Sequence, residues 1–273
     1  MLEKIGYQPR MASWAAARDA MLGRVARLDH GVVVVLSERG PLRCTYSGRL
    51  LGQVAADPAQ APCVGDWCVV QEWPDRRLTV VEVLPRRSSV ARPAGPVLCA
   101  NADVVAAVVA VRPAPVLAQV RRLVGVVRDS GARPLVVLTK AEVSDEAERL
   151  RADLAAEAPG IEVVATSAVT GAGLARLHAL IDGGRTLALV GLARQGKSSL
   201  TDALVGAEVL PARGRRADGR DVAVRRELVP LPGGGAVIDT PGLTAAELSG
   251  DSLSGLGHSR ERGPRRAASG GPA

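Results

Sequence analysis

The 273-residue chain has no phenylalanine, and its aromatic content is three tryptophans and two tyrosines. With 47% apolar residues supplied mainly by Ala, Val and Leu, the core has to be packed from aliphatic groups, which favours α/β layering. Histidine and cysteine are also scarce, at three and four residues. Cys44, Cys63, Cys68 and Cys99 form no C-x-x-C pair and have no histidine near them in sequence, so they read as buried reduced thiols rather than zinc ligands or disulfides. The longest apolar run, residues 104–111, falls far short of the roughly 20 residues a membrane span needs, and no membrane partner is expected. Residues 1–21 carry scattered charge and lack an apolar stretch followed by small residues, which excludes a secretory signal and points to the cytoplasm. Acidic residues are outnumbered: the net charge of +7 suits a polyanionic partner such as RNA.

Periodicity divides the chain into five parts. Residues 1–22 read as an N-terminal helical segment. Over residues 23–85, short alternating stretches (RVARLDHGVVVVL, PLRCTYSGRLL, CVGDWCVVQEW, RLTVVEVLP) punctuated by Gly, Asp and Pro suit a small antiparallel barrel. Residues 86–102 read as a linker, because Pro and Gly interrupt any period. Residues 103–248 alternate apolar strands with amphipathic helices, the pattern of a mostly parallel sheet whose functional loops sit at the carboxyl ends of its strands. Residues 249–273 are rich in Gly, Ser, Arg and Pro and read as a disordered basic tail. His30 is assigned to the barrel and His178 to a helix face.

Four loops of the α/β region carry chemistry. Gly191-Leu192-Ala193-Arg194-Gln195-Gly196-Lys197-Ser198, followed by Ser199, has the G-x-x-x-x-G-K-S spacing between a strand and a helix. Successive backbone N–H groups there can wrap phosphate oxygens at a helix N-terminus, Lys197 can reach the β- and γ-phosphates, and the Ser198 hydroxyl can ligate Mg²⁺. Asp239-Thr240-Pro241-Gly242 follows the strand GAVI; the Asp239 carboxylate can hold a Mg²⁺ water and the Gly242 N–H can meet a γ-phosphate. Upstream, Thr139-Lys140-Ala141-Glu142 and Thr166-Ser167-Ala168 end two further strands. A carboxylate such as Glu142 can accept hydrogen bonds from guanine N1–H and N2–H₂, groups adenine lacks. The Lys140 stem can lie along the purine face, and the backbone at Ser167 and Ala168 can meet guanine O6.

The order of these loops, base readers first and phosphate loop late, resembles a circularly permuted GTPase. With V-G-D-W at 64–67 and R-E-L-V-P-L-P-G-G-G at 226–235, residues 2–248 resemble the ribosome small subunit-dependent GTPase A (RsgA) family. The resemblance implies an α/β P-loop GTPase domain, circularly permuted, preceded by an all-β OB-fold barrel. It implies GTP and GDP with Mg²⁺ as ligands, the small (30S) ribosomal subunit and its rRNA as partners, and hydrolysis of GTP in late subunit maturation by a monomer. Family members carry G-R-H-T-T before the R-E-L run, where a threonine closes on Mg²⁺ and the histidine is associated with hydrolysis. Here the segment is Gly219-Arg220-Asp221-Val222-Ala223, so attenuated hydrolysis is expected, and the alternative is a degenerate nucleotide- or RNA-binding member without turnover. Glu142 replaces the usual aspartate. Thr139 replaces the commoner asparagine, and Arg194 either crowds the tight loop or adds a charge on phosphate. The family's C-terminal zinc domain has no counterpart: beyond residue 243 there is His258 and no cysteine, so no zinc is expected and the composition reads as a truncated or frame-shifted end.

Overall fold

A computed structural model of the chain describes residues 1–16, 20–29, 31–92, 95–206 and 226–249. His30, the segment 219–223 and residues 250–273 lie outside the described residues. Among the described residues the N-terminal segment consists of helical turns: two 3₁₀ turns, Leu2–Ile5 and Pro9–Met11, precede a short helix α1 (Ala12–Ala16). Pro9, at the first position of the second turn, favours such a start.

Five strands follow: β1 (Met21–Asp29), β2 (Val32–Ser37), β3 (Gly40–Tyr46), β4 (Trp67–Glu72) and β5 (Leu78–Val83). They pair in the order β1-β2-β3-β5-β4 and close through β1–β4, which makes a five-stranded barrel. Its interior is a cluster that includes Val25, Val33, Val35, Cys44, Cys68, Val70 and Val80. The stretch PLRCTYSGRLL is strand only to Tyr46. Ser47 then accepts a hydrogen bond from Leu50 N at 3.2 Å and starts α2 (Gly48–Ala56), so the carboxyl half of that stretch is helix rather than strand.

Residues 86–102 also differ from the linker read in the sequence. They contain a hairpin, β6 (Ser89–Ala91) with β7 (Val97–Ala100), and Val90, Leu98 and Cys99 are buried. The residues that interrupt the pattern, at 92–96, lie between its two strands. A bidentate pair fastens the hairpin's entry to the barrel: Arg86 donates to both Asp66 carboxylate oxygens at 2.8 Å, and Asp66, fully buried in V-G-D-W, also accepts from Cys63 N at 2.8 Å.

The remaining strands are β8 (Val104–Ala110), β9 (Arg133–Thr139), β10 (Glu162–Ala165), β11 (Thr186–Val190), β12 (Glu227–Pro230) and β13 (Ala236–Asp239), in the order β10-β9-β8-β11-β13-β12. All neighbours are parallel except β12–β13. β8 is apolar throughout because both faces of the sheet are covered. Val105, Ala107 and Val109 join one core cluster, which includes residues of α3 (Leu117–Arg128) and α4 (Ala147–Glu157). Val104, Ala106 and Val108 join the other, which includes residues of α5 (Leu174–Ile181) and α6 (Lys197–Val205). A short helix α7 (Ala245–Ser249) packs against α3, so helix reaches the first residue of the stretch read as tail.

The two halves share one 11-stranded sheet. The amino half of β1 pairs with β4, a register shift falls between Val25 and Arg27, and Arg27 then pairs with Glu227 of β12. Beside this join, Arg24 is buried at 1% exposure and donates to four acceptors: the carbonyls of Ile5, Gly65 and Asn101, and Thr186 Oγ1 at 2.7 Å. Its guanidinium lies 5.4 Å from the Trp67 ring centroid, and burial lowers its pKa to about 10.

Candidate functional site

The four loops marked by the sequence emerge from the carboxyl ends of β9, β10, β11 and β13, which are the same edge of one parallel sheet. β11 is wholly buried and delivers Gly191, whose added Cβ would stand 2.5 Å from Val108 O. Only glycine lets the loop pass that close to β8. The loop turns through Arg194, in the left-handed region at φ 64°, and Gly196 before α6 starts at Lys197.

Lys197 is 6% exposed and donates from Nζ to Gly191 O at 3.0 Å and Leu192 O at 2.7 Å. Burial lowers its pKa to about 8, while the charge of Asp239 acts in the opposite direction. Asp239 ends β13 and is 1% exposed. Ser198 and Ser199, in the first turn of α6, are exposed. A buried ammonium and carboxylate and an exposed hydroxyl thus gather where the N–H groups of α6 point outward.

The two upstream loops, at 139–142 and 166–168, sit beside the phosphate-loop sequence, and the first is bonded to it. Thr139 donates from Oγ1 to Gln195 O at 2.7 Å, and Lys140 donates from Nζ to Arg194 O at 3.2 Å. Ala141 N donates to Thr166 O at 3.0 Å, which joins the two upstream loops. Together they border a cavity of about 230 Å³ lined by Thr139, Lys140, Glu142, Thr166, Ala168, Gly196 and Ser199. Ser167 is buried, and its hydroxyl accepts from Val169 N and Thr170 N, which shapes the turn rather than the cavity wall. A larger recess, of about 410 Å³, is lined by His178, Asp182, Leu204 and Gly233 among others and shares no residue with the four loops.

The loop at 239–242 closes on the phosphate-loop sequence. Leu243 N donates to Gly191 O at 3.0 Å and Ala193 N donates to Leu243 O at 3.3 Å. Gly242 packs so tightly that an added Cβ would stand 2.6 Å from Ala193 Cα. Thr240 anchors the strand end by donating from Oγ1 to Leu189 O at 2.7 Å.

Sequence reading missed several contributors. Val169 and Leu200 complete the cavity, and Val169 is 80% exposed at its rim; its place directly after Ser167-Ala168 was the available signal. Gln195 accepts from Ala110 N at 2.5 Å through its side chain, a contact between distant positions with no sequence signature. Leu243 joins the loops through backbone groups alone. Among the described residues, no group of three or more His, Cys, Asp or Glu side chains is placed to hold a metal.

A six-stranded half in the order β10-β9-β8-β11-β13-β12, with a G-x-x-x-x-G-K-S loop after its central strand and the loops at 139–142 and 166–168 earlier in the chain, has the layout of a circularly permuted GTPase. Two solved structures share the fold. YjeQ from Thermotoga maritima matches with a TM-score of 0.60 at 24% identity, over 82% of this chain and 75% of that one. YloQ, described as a circularly permuted GTPase, matches with a TM-score of 0.55 at 22% identity, over 83% and 72%. The RsgA GTPase family model matches residues 83–249. The chain is 37% identical over 255 residues to the small ribosomal subunit biogenesis GTPase RsgA of Streptomyces avermitilis, covering 87% of this chain and 67% of that protein. It is 32% identical over 237 residues to RsgA 2 of Lactiplantibacillus plantarum, covering 84% and 67%. The chain therefore belongs to the RsgA GTPase family, and it spans about two thirds of the length of these relatives.

Proposed function

We propose that the protein binds GTP and GDP with Mg²⁺, hydrolyses GTP, and serves the biogenesis of the small ribosomal subunit in the cytoplasm as a monomer. The observation that carries this reading is the convergence of the four loops on one sheet edge, with a purine-sized cavity against the phosphate-loop sequence. Residues 191–199 take the phosphates, with Lys197 as the cation. Thr139, Lys140, Ala141, Glu142, Thr166, Ser167 and Ala168 take the base, Glu142 accepting from guanine at the mouth of the cavity. Ser198 and Asp239 hold the Mg²⁺ sphere: a hydroxyl and a carboxylate are hard oxygen donors of the kind Mg²⁺ prefers. The metal supplies charge neutralisation at the phosphates when bound. The Gly242 N–H faces the γ-phosphate. In this reading residues 23–85 are an OB-fold that meets rRNA, residues 103–248 are the GTPase domain, and no zinc is needed.

Saturable binding of labelled GTP and GDP, resistant to excess ATP, tests the first part; absence of such binding sinks it. Hydrolysis with and without purified small subunits tests the second, with Lys197→Ala as the inactive control. A second reading has its own support: residues 219–223 carry neither the histidine nor the threonines of the family's G-R-H-T-T. A member that binds nucleotide or RNA without turnover would show guanine-nucleotide binding and no stimulation by subunits. Several-fold stimulation would exclude it.

A further inference from the structure

The loop at 239–242 is tied to more than the phosphate-loop sequence. It runs through Leu243 into Thr244, and Thr244 with Glu247 makes the reciprocal cap of α7: Glu247 N donates to Thr244 Oγ1 at 3.2 Å, and Thr244 N donates to Glu247 Oε2 at 2.7 Å. The other oxygen of the same carboxylate, Glu247 Oε1, accepts from Arg92 at 2.6 Å. Arg92 directly follows β6, in the hairpin whose Cys99 also bridges to Val64 of the barrel. One carboxylate thus joins the loop after D-T-P-G to the hairpin between the two halves.

Arg92 is poorly satisfied for a group so placed. Its Nε is buried and has no hydrogen-bond partner among the described residues. A second guanidinium, that of half-buried Arg226, is near enough for the two like charges to oppose each other. Partly buried guanidinium groups are normally bonded through all three nitrogens, as Arg86 is to Asp66 and to the carbonyls of Ala59 and Ala61. A cation bonded through a single nitrogen among the described residues, and joined to a loop in direct contact with the phosphate-loop sequence, is suited to letting go.

We propose that Arg92 is a positioning residue for the loop at 239–242: through Glu247 it holds that loop closed on the phosphate-loop sequence and thereby sets the balance between GTP and GDP. This rests on the guanine-nucleotide reading given above. The loop is closed by the bonds Leu243 N to Gly191 O and Ala193 N to Leu243 O. In the guanine-nucleotide reading a γ-phosphate facing Gly242 N–H would enter between the two loops and compete with these bonds, whereas a diphosphate would end short of them. Weakening the Arg92 anchor therefore helps the triphosphate more than the diphosphate, since a ligand shifts an equilibrium only by its differential affinity for the two states.

The test uses Arg92→Gln, Glu247→Gln and the double variant. Glutamine at 247 keeps the reciprocal cap of α7 and removes only the charge that Arg92 holds. Two readouts are taken on the full chain: the dissociation constants of GDP and of a non-hydrolysable GTP analogue, and amide hydrogen exchange over residues 240–248. Each single variant is expected to raise affinity for the triphosphate analogue relative to GDP about fivefold and to speed exchange about tenfold. The double variant is expected to do no more than either single, because coupled partners are non-additive. Unchanged exchange, an unchanged affinity ratio with both nucleotides still binding, or additive effects would each overturn the proposal. If the unsubstituted protein bound neither nucleotide, the guanine-nucleotide reading would fall and this inference with it, whatever the exchange showed.

Discussion

Lys197 carries its charge at a cost. Burial holds its pKa near 8 against 10.5 for the free side chain, and the nearby charge of Asp239 offsets only part of that. A phosphate arriving at Nζ favours the charged form, so above about pH 8 binding has to draw a proton from solvent. The affinity for GDP is expected to weaken between pH 8 and pH 9 by up to about tenfold, the slope of one proton per ligand; titrations of labelled GDP at fixed ionic strength check it. The sign for folding is the reverse. Between about 8 and 10.5 the unfolded chain binds the proton that the folded chain has lost, so this group makes stability rise with pH across that window. Among the described residues, Arg24 is the other buried cation with several acceptors. Arg24→Ala strands three carbonyls and the Thr186 hydroxyl, and a loss of about 3 kcal/mol or more is expected in urea unfolding. The motif residues around Lys197 were legible because their spacing alone prescribes a strand, a turn and a helix. Arg24 was not: its partner Thr186 lies 162 positions away, and nothing local distinguishes it from a surface arginine of a strand.

At the level of elements, the hairpin β6–β7 separates two accounts of residues 86–102. A linker tolerates truncation of its side chains within about 0.5 kcal/mol. Leu98 is fully buried in the core cluster that also holds Trp67 and Val124, so Leu98→Ala is expected to cost about 3 kcal/mol in chemical denaturation. A cost below 1 kcal/mol would restore the linker account. The sequence misled here for a definite reason: each strand is only three or four residues long, too short for a period of two to stand out, and the residues that break the pattern belong to the turn. α2 was missed for a related reason, since its start depends on one serine after a strand and the apolar pair Leu50-Leu51 fits either period. The long crossover units were read correctly in kind because a continuous apolar strand such as β8, followed by an amphipathic helix, has few other solutions.

Across the whole molecule, the shared sheet, the Arg24 contacts and a core cluster that runs from Leu2 through Trp67 to Leu138 join the barrel to the α/β half, and the two are expected to unfold as one cooperative unit. All three tryptophans, Trp14, Trp67 and Trp73, lie in the first 73 residues, so their fluorescence reports the barrel and, through Trp67, its seam with the α/β half. GDP at about 100 times its dissociation constant stabilises the folded state by about 2.7 kcal/mol. In one cooperative unit the tryptophan-monitored midpoint must move with it, although the proposed nucleotide site contains no tryptophan. A tryptophan transition indifferent to GDP, beside a shifted far-ultraviolet transition, would show that the halves unfold separately. The join between β1 and β12 also bears on how the chain is made. The barrel strands and the base-side loops leave the ribosome well before the strand that ends in the phosphate loop, and β12 comes later still. At about 5–20 residues per second, the outer margin of β1 waits on the order of ten seconds for its partner. During synthesis the growing chain therefore carries an open strand edge in the middle of an otherwise finished barrel, and the strand that covers it, β12, also pairs with β13, the strand that ends in Asp239.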